Sequence, residues 1–279
     1  MRGRRWRRSV TDLLTWAAVV PLLAFELFPI YWIVQMAFKH DVQIYAMPPE
    51  FVFRPTLDNF TYILGRTQPY LGNLKNSILV ALGTTALCAV VGTPAAYALS
   101  RTVFRSKQVV MFSILASRML PPVAIAIPLF LIMRSLGLVN TYAGVILAHS
   151  TFILPLVVWV MKTFFDEVPV ELDEAARIDG ASAPLVFARV ALPLAGPGLG
   201  AAATLAVIFS WNEFFFSLIL TGAATRTMPV ALAAFVGAIT LEWGRMAAAA
   251  TLAIAPIVLF TFLAQRILIR GLTGGAVKG

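Results

Sequence analysis

Six long apolar stretches constrain the fold of this chain more than any other feature. A helix needs about 20 mostly apolar residues to cross a bilayer, and each stretch meets that length. The stretches lie near residues 13–38, 76–99, 109–133, 142–165, 198–221 and 246–265. Only 13% of the residues are charged, whereas soluble domains usually have about 25%. The sequence therefore predicts an all-α integral membrane protein, a single domain over residues 1–279 with six transmembrane helices, and excludes a soluble enzyme.

The first stretch has the arginine-rich start of a secretory signal peptide, but its length argues for a retained helix. The apolar core of a signal peptide is about 7–15 residues long and ends at a small-residue cleavage site. This stretch is longer, contains Pro21, Glu26 and Pro29, and reaches Lys39 without such a site. We therefore expect it to remain as the first transmembrane helix.

The distribution of Lys and Arg predicts the orientation, because cytosolic loops of membrane proteins collect these residues. With a cytosolic N-terminus, the inner segments hold 13 of the 22 Lys and Arg residues and the outer loops hold six. Those inner segments are residues 1–12, 100–108, 166–197 and 266–279. We expect a multi-pass protein of the cytoplasmic membrane of a prokaryote with both termini in the cytosol. The net charge of +9 is then a topology signal and does not indicate nucleic-acid binding.

One predicted inner loop, residues 166–197, is unusually acidic. Six of the 13 acidic residues lie between Asp166 and Asp179, against Arg177 alone. Pro169 is suited to the first turn of a helix, and Gly180 can end that helix in a left-handed conformation. Ser182 can begin a second helix, which Leu192-Pro193 would end. The sequence predicts two short helices outside the membrane, either as a docking surface for a cytosolic partner or as a plain solvated loop.

A spaced motif in this loop resembles a known family. Glu174-Ala175-Ala176 is followed after three residues by Gly180, after nine more by Val190, and then by Leu192-Pro193. The pattern resembles the EAA loop of ABC-importer membrane subunits, with Val190 where the family usually has Ile. We call residues 166–197 the EAA loop. The resemblance extends to the smaller permease of the carbohydrate-uptake, maltose-type branch through Pro48-Pro49, Thr56–Phe60, Trp211-Asn212-Glu213 and the ending Gly271–Gly279.

The resemblance implies a permease subunit that moves a mono- or oligosaccharide and has no ATPase site of its own. Its implied partners are a second permease subunit, a cytosolic ATPase dimer that binds ATP and Mg²⁺, an extracytoplasmic sugar-binding protein, and membrane lipid. The helix near Glu171 to Gly180 would be the coupling helix, and the tail Gly274 to Gly279 would reach toward the ATPases. The residues implied in ATPase coupling are Glu174, Ala175, Ala176, Asp179, Gly180, Leu192 and Pro193.

Missing motifs agree with this interpretation. The chain has no Gly-x-x-x-x-Gly-Lys-[Ser/Thr] run to hold nucleotide phosphates, and Gly196–Gly200 lacks dinucleotide spacing. Its one cysteine, Cys88, excludes an internal disulfide and a Cys-based zinc cluster. Its two histidines, His40 and His149, have no metal-ligand spacing, so we expect no metal and no cofactor on this chain. Two alternatives remain, an importer of a polyol or glycerol phosphate ester and an ion-driven secondary carrier; the acidic loop argues against the carrier.

Charged residues inside the spans are the candidate pathway residues, because such residues usually face a bundle interior or a wet cavity. Arg118 lies near mid-membrane, just before Pro121-Pro122. Trp211, Asn212 and Glu213 offer a sugar an aromatic face, an amide and a carboxylate, although interhelical hydrogen bonding would also explain them. We hypothesise that Arg118 and Glu213 neutralise each other in one state of the transport cycle, since an unpaired charge at that depth is costly.

The last predicted outer loop, from Gly222 to Arg245, also follows the family resemblance. It contains Pro229 and Gly237 and ends in Glu242-Trp243-Gly244. This loop would probe the sugar-binding protein, or else form a re-entrant or surface helix without a special role.

Overall fold

The computed structural model describes residues 2–65, 69–235 and 242–273, with side chains described from residue 15 to residue 265 in those ranges. Within the described residues, helices are the only regular secondary structure. The tail Gly274 to Gly279 and Gly237 lie outside the described residues. The helices are α1 (Arg2–Ala37), α2 (Asp41–Ile44), α3 (Asp58–Ile63), α4 (Tyr70–Arg101), α5 (Lys107–Ala116), α6 (Pro122–Ser135), α7 (Tyr142–Glu167), α8 (Val170–Ile178), α9 (Ala183–Val186), α10 (Leu192–Leu194), α11 (Gly196–Trp211), α12 (Phe215–Leu220), α13 (Met228–Ala233) and α14 (Trp243–Thr273).

Four helical segments are long and apolar enough to cross a membrane without a break. They are Thr15–Ala37, Tyr70–Arg101, Tyr142–Glu167 and Trp243–Gln265. These match the first, second, fourth and sixth predicted spans, with the second beginning six residues earlier than expected. The all-helical membrane fold is thereby confirmed, with four to six spans depending on how the two remaining stretches are counted.

The third predicted span is bent, which corrects the expectation of one continuous helix over 109–133. Lys107–Met119 and Pro122–Ser135 meet at 96°. Leu120 and Pro121 lie between them with extended backbone, at ψ of 126° and 131°. A residue before proline is driven out of helical conformation, and each proline removes a backbone donor. Pro121-Pro122 therefore breaks the helix that the apolar stretch predicted to be continuous.

The fifth predicted span, 198–221, is also interrupted. Just before this span, Ala183–Leu194 and Gly196–Trp211 meet at 78°, so the chain turns sharply at Ala195. The helix α11 then ends at Trp211, and α12 begins at Phe215 after three non-helical residues. The apolar run predicted a continuous helix here, but the polar side chains at residues 212 and 213 allow it to end early.

Contacts divide the chain into two compact units. One comprises Met1–Gln68 with Ala234–Ile254, and the other comprises Pro69–Ala233 with Ala255–Gly279. The single domain over residues 1–279 stays a prediction. The second unit contains the EAA loop and the four candidate pathway residues.

The first unit is organised around Lys39, which the sequence places in an outer loop but whose side chain is buried. Its Nζ donates to the Glu50 carbonyl oxygen at 2.6 Å and lies over the rings of Trp32 and Phe53, 5.3 and 4.8 Å from their centroids. Asn59 Nδ2 donates to the carbonyl oxygens of Ala37 and Lys39. These bonds satisfy carbonyls at the end of α1, so the loop is held firmly against its own helix.

The core of the second unit is formed by α4, α7 and α11. Small residues line the contact, including Ala96, Ala202 and Ala206, which are fully buried. Gly198 is required by packing, since a Cβ there would lie 2.3 Å from the Phe164 ring. Small side chains let membrane helices approach closely enough for van der Waals contact to hold them. This packing gives the EAA loop a rigid base, because α7 leads into the loop and α11 leads out of it.

Candidate functional site

The EAA loop contains the two helices that its sequence predicts. The first, α8, begins after Pro169 and carries Glu171 and Asp173 in its first turn, where acidic side chains interact well with the helix dipole. The second begins after Ser182 and runs from Ala183 to Leu194 through a π-helical segment, Phe187–Ala191. Both helix starts and the proline near the second end are confirmed.

A left-handed glycine ends α8, as predicted. Gly180 has φ +89°, and its N–H donates to the Arg177 carbonyl at 3.0 Å while the Ala181 N–H donates to the Ala176 carbonyl at 2.9 Å. These two bonds form a Schellman motif, which satisfies the last carbonyls of the helix. A Cβ at Gly180 would meet nothing within 4 Å. The glycine is therefore needed for its backbone conformation and not for space.

The surface of α8 is both acidic and apolar. Glu174, Ala175 and Asp179 are exposed and Ala176 is half-buried. Ile178 is 86% exposed, although a large apolar side chain is usually covered by packing. This short helix thus combines exposed acidic side chains, small alanines and an uncovered isoleucine. Such a combination is typical of a surface that binds another protein.

The second helix of the loop is anchored to the bundle. Val186 and Ala191 are fully buried, whereas Leu192 is half-buried and Pro193 is exposed. The anchored positions hold the loop in place, and the Leu192-Pro193 pair lies directly before the turn into α11. The structure thus brings the predicted coupling residues into one continuous loop.

One acidic residue of the loop was misjudged from sequence. Asp173 was grouped with its neighbours as part of an acidic surface, but only 1% of it is exposed. Its Oδ2 accepts hydrogen bonds from Arg101 Nε at 2.8 Å and from the Tyr97 hydroxyl at 2.9 Å. Nothing in the sequence separates Asp173 from the acids beside it, and nothing separates Arg101 from Arg105 and Lys107, which follow it.

The candidate pathway residues of the fifth stretch lie at its break. Trp211 is 8% exposed, so it is buried in the conformation described, and its role in the pathway stays a prediction. Asn212 is exposed and its Nδ2 donates to the Ile208 carbonyl at 2.8 Å.

The Glu213 carboxylate takes the place of a helix cap. Its Oε1 accepts from the Phe216 N–H at 2.8 Å, and its Oε2 accepts from the Ser217 N–H at 3.0 Å and the Ser217 hydroxyl at 3.2 Å. The Phe216 and Ser217 N–H groups lie in the first turn of α12 and have no acceptor within that helix, so they need a partner where water is excluded. Glu213 thereby allows the break between α11 and α12.

His149 completes this cluster and was missed from sequence. It is fully buried on α7, with Nδ1 2.8 Å from Ser210 Oγ and Nε2 3.0 Å from both Ser217 Oγ and Glu213 Oε2. Sequence analysis considered His149 only as a possible metal ligand. Its polar neighbours lie more than 60 residues away in the chain, so no local pattern could reveal them.

Arg118 and Glu213 do not form an ion pair in the conformation described. The Arg118 guanidinium lies over the Phe209 ring, 5.4 Å from its centroid, and Glu213 pairs with His149. The argument that an unpaired charge needs a partner does not apply to Glu213 here, because four groups already bind it. Pairing of Arg118 with Glu213 in another state stays a prediction.

Comparison with known proteins identifies the family. Residues 89–274 match the family described as the binding-protein-dependent transport system inner membrane component. The chain belongs to this family. It is therefore the membrane component of a binding-protein-dependent transport system, and the alternative of an ion-driven carrier is set aside.

Individual relatives cover almost the whole chain. It is 39% identical to a trehalose transport system permease protein of Mycobacterium tuberculosis, over 95% of this chain and 97% of that one. It is 35% identical to a trehalose/maltose transport system permease protein of Thermococcus litoralis, over 91% and 92%. A crystal structure of a bacterial ABC transporter that imports alginate has a similar fold, with a TM-score of 0.79, 21% identity and coverage of 92% and 96%.

Proposed function

We propose that this chain is a permease subunit of an ATP-driven importer of a mono- or oligosaccharide. The observation that carries the proposal is the EAA loop, with its exposed acidic and apolar α8 ending at the left-handed Gly180. The sugar substrate is supported by relatives named for trehalose and maltose transport. The chain itself performs no covalent chemistry in this proposal.

We infer four partners for the complex. A second permease would complete the translocation pathway, and an ATPase dimer would bind α8 through Glu174, Ala175, Ala176 and Ile178. An extracytoplasmic binding protein would deliver the sugar to the opposite side, and lipid would cover the apolar outer faces. The exposed Ile178 supports the ATPase contact, because an apolar side chain outside the membrane gains most when another protein covers it.

The main test is ATP-dependent uptake by the complete complex. The chain is coexpressed with its genomic neighbours, purified, and reconstituted with a panel of trehalose, maltose, longer oligosaccharides, polyols and glycerol phosphate esters. We expect an ATPase to copurify and uptake to occur only with a saccharide. Uptake of a polyol or phosphate ester alone would contradict the sugar assignment, and absence of a bound ATPase would contradict the importer.

The proposed topology, with both termini and the EAA loop in the cytosol, has a separate test. Cys88 is fully buried, so a single introduced cysteine gives a clear labelling signal. Val52 and Val103 are 94% and 98% exposed in a predicted outer and inner loop. We expect Val52→Cys to react with a membrane-impermeant maleimide in intact cells and Val103→Cys only after permeabilisation. The reverse pattern would invert the topology.

A further inference from the structure

Arg101 joins three helices at one end of the second unit. It is the last residue of α4, and its side chain is only 7% exposed. Nε donates to Asp173 Oδ2 of α8 at 2.8 Å. Nη1 donates to the Phe165 carbonyl at 2.8 Å and Nη2 to the Val168 carbonyl at 2.9 Å. One guanidinium thus binds a side chain of α8 and the last carbonyls of α7.

Asp173 differs from the other acidic residues of the EAA loop in facing the bundle. The other five acids are exposed. Asp166 pairs with Lys162 and accepts from the Ser100 hydroxyl in its own chain, and the other four face partner or solvent. A buried charge needs a partner of opposite sign, and removing one member of such a pair is strongly destabilising. The inward position of Asp173 therefore ties α8 to the bundle while the outward acids remain available for binding.

The surroundings of this pair are stiff. The Tyr97 hydroxyl also donates to Asp173, and the Tyr97 ring packs against Phe165 and Phe187, with centroids 5.3 and 5.2 Å away. Close-packed aromatic rings transmit displacement because interiors have low compressibility. The pair is therefore embedded where α4, α7 and the π-helical segment meet.

We propose that Arg101 and Asp173 are positioning residues that make α8 move as one body with the inner ends of α4 and α7. In the transport cycle, a displacement imposed on α8 would pass through this buried link to the helix bundle. The inference rests on the proposed function, because it assumes that an ATPase displaces α8.

The chemistry of the link favours transmission over simple anchoring. A guanidinium is a planar fork with fixed donor directions. The bonds from Arg101 to Phe165 and Val168 orient this fork at the end of α7, and its bond to Asp173 then fixes the position of α8 relative to that end. Apolar contact is non-directional, so an apolar replacement of equal volume would hold α8 to the bundle without fixing its register. Transmission of displacement and simple anchoring therefore predict different behaviour for a variant in which apolar side chains replace Arg101 and Asp173.

The test compares variants of the complete reconstituted importer. Arg101→Lys keeps the charge and loses the fork, Asp173→Asn keeps the shape and loses the charge, and R101M/D173L replaces the pair by apolar side chains. The measurements are thermal stability, basal ATP hydrolysis, and sugar taken up per ATP hydrolysed. Arg105→Lys is the matched control, since Arg105 is an exposed arginine one turn further along the chain.

We expect each of the three variants to lower uptake per ATP by about tenfold or more, within the usual range of coupling between sites, while basal hydrolysis persists. R101M/D173L should be the most stable of them and yet remain uncoupled. An apolar pair that regains both stability and normal uptake per ATP would show a plain structural anchor and overturn the proposal. Unchanged coupling in Arg101→Lys and Asp173→Asn would also overturn it.

A second measurement uses the folded wild-type background and does not depend on those variants. Spin labels at the exposed positions Val103 and Val170, which lie outside the proposed ATPase contact, report the distance between the end of α4 and the start of α8. We expect this distance to stay constant between ATP-free and ATP-trapped complexes. A change larger than about one helical turn, ~5 Å, would contradict movement as one body.

The two proposals fail in different ways. If the wild-type complex takes up no sugar with ATP, the proposed function fails before any variant is measured. If the wild-type complex transports and the Arg101 and Asp173 variants stay coupled, only the buried link fails.

Discussion

At the scale of single residues, Glu213 and His149 explain how a transmembrane segment can stop midway. An unsatisfied backbone group inside a bilayer costs several kcal/mol. Glu213 accepts from the first donors of α12, and His149 binds Glu213 together with two serines. At the break between α11 and α12, the Phe216 and Ser217 N–H groups therefore have hydrogen-bond acceptors, so the break is not a weak point.

We expect His149→Ala to destabilise the protein more than a neighbouring substitution does. It leaves Glu213, Ser210 and Ser217 short of a partner, and each unsatisfied buried group costs about 1–3 kcal/mol. Thermal unfolding in detergent measures the loss. Ser150→Ala is the control, because the Ser150 hydroxyl binds the Ile146 carbonyl of its own helix. Equal melting temperatures for the two variants would contradict a stabilising role for the cluster.

Gly180→Val tests the end of α8 at the same scale. Left-handed backbone costs about 1–2 kcal/mol for a residue with a side chain, and the surrounding space is open, so the effect comes from conformation alone. We expect normal membrane insertion and a large loss of uptake per ATP, measured in proteoliposomes.

A second left-handed glycine provides the control for Gly180. Gly137 has φ +68° and also has nothing within 4 Å of an added Cβ, but it lies after α6 and outside the EAA loop. Gly137→Val should carry similar strain and leave uptake per ATP intact. Normal uptake in Gly180→Val, or equal uncoupling in both variants, would contradict the assignment of α8 as the coupling helix.

At the scale of helices, the bends are the features that composition did not predict. Periodicity and length locate an apolar stretch but contain no information on whether it is straight. Pro121-Pro122 was visible in the sequence, and its consequence, a 96° bend, depends on both residues 120 and 121 being extended. The break at 212–214 is harder still, since it depends on bonds that Glu213 makes with residues three and four positions later and with α7.

We expect P121A/P122A to straighten the third stretch. Alanine restores two backbone donors and removes the steric bias of the preceding residue. Spin labels at the exposed Phe112 and Leu131 should move further apart than in the parent protein. A double variant at Pro94 and Pro155, which lie inside unbroken helices, is the control. An unchanged distance in P121A/P122A would show that packing, and not proline, sets the bend.

At the scale of the molecule, the second unit has a polar clamp at each end of the α4–α7 pair. One clamp is the link between Arg101 and Asp173. At the other end Asn76 Nδ2 donates to the carbonyls of Ala224 and Arg226, and its Oδ1 accepts from the Tyr142 hydroxyl at 2.7 Å. The same two helices thus hold both the EAA loop and the segment 221–228.

Asn76→Ala should loosen the segment 221–228. Two carbonyls and one hydroxyl lose their partner, and regions with few satisfied contacts open locally at low free energy. Hydrogen exchange of the amides of residues 221–228 measures the effect, with faster exchange expected than in the parent. Thr85→Val is the control, because the Thr85 hydroxyl binds only the Ala81 carbonyl of α4. Unchanged exchange in Asn76→Ala would rule out the clamp.

Sequence reasoning recovered what depends on local pattern and missed what depends on distant contacts. The caps of α8 follow from Pro169 and Gly180, and both were predicted with their physical reasons. The four unbroken spans follow from length and apolarity. The partners of His149 and Asp173 come from residues far along the chain, so their burial could not be inferred from neighbours in sequence.

The inward turn of Asp173 divides the acids of the EAA loop into two groups under different evolutionary constraints. Asp166 is bound by Lys162 and Ser100 of its own chain, so the outward group is Glu167, Glu171, Glu174 and Asp179. If these four contact the proposed ATPase, each can change together with that polypeptide. Asp173 is bound by Arg101 and Tyr97 of its own chain. We therefore expect that, across homologues, positions 101 and 173 vary together within one gene, while the outward acids covary with a surface encoded in another.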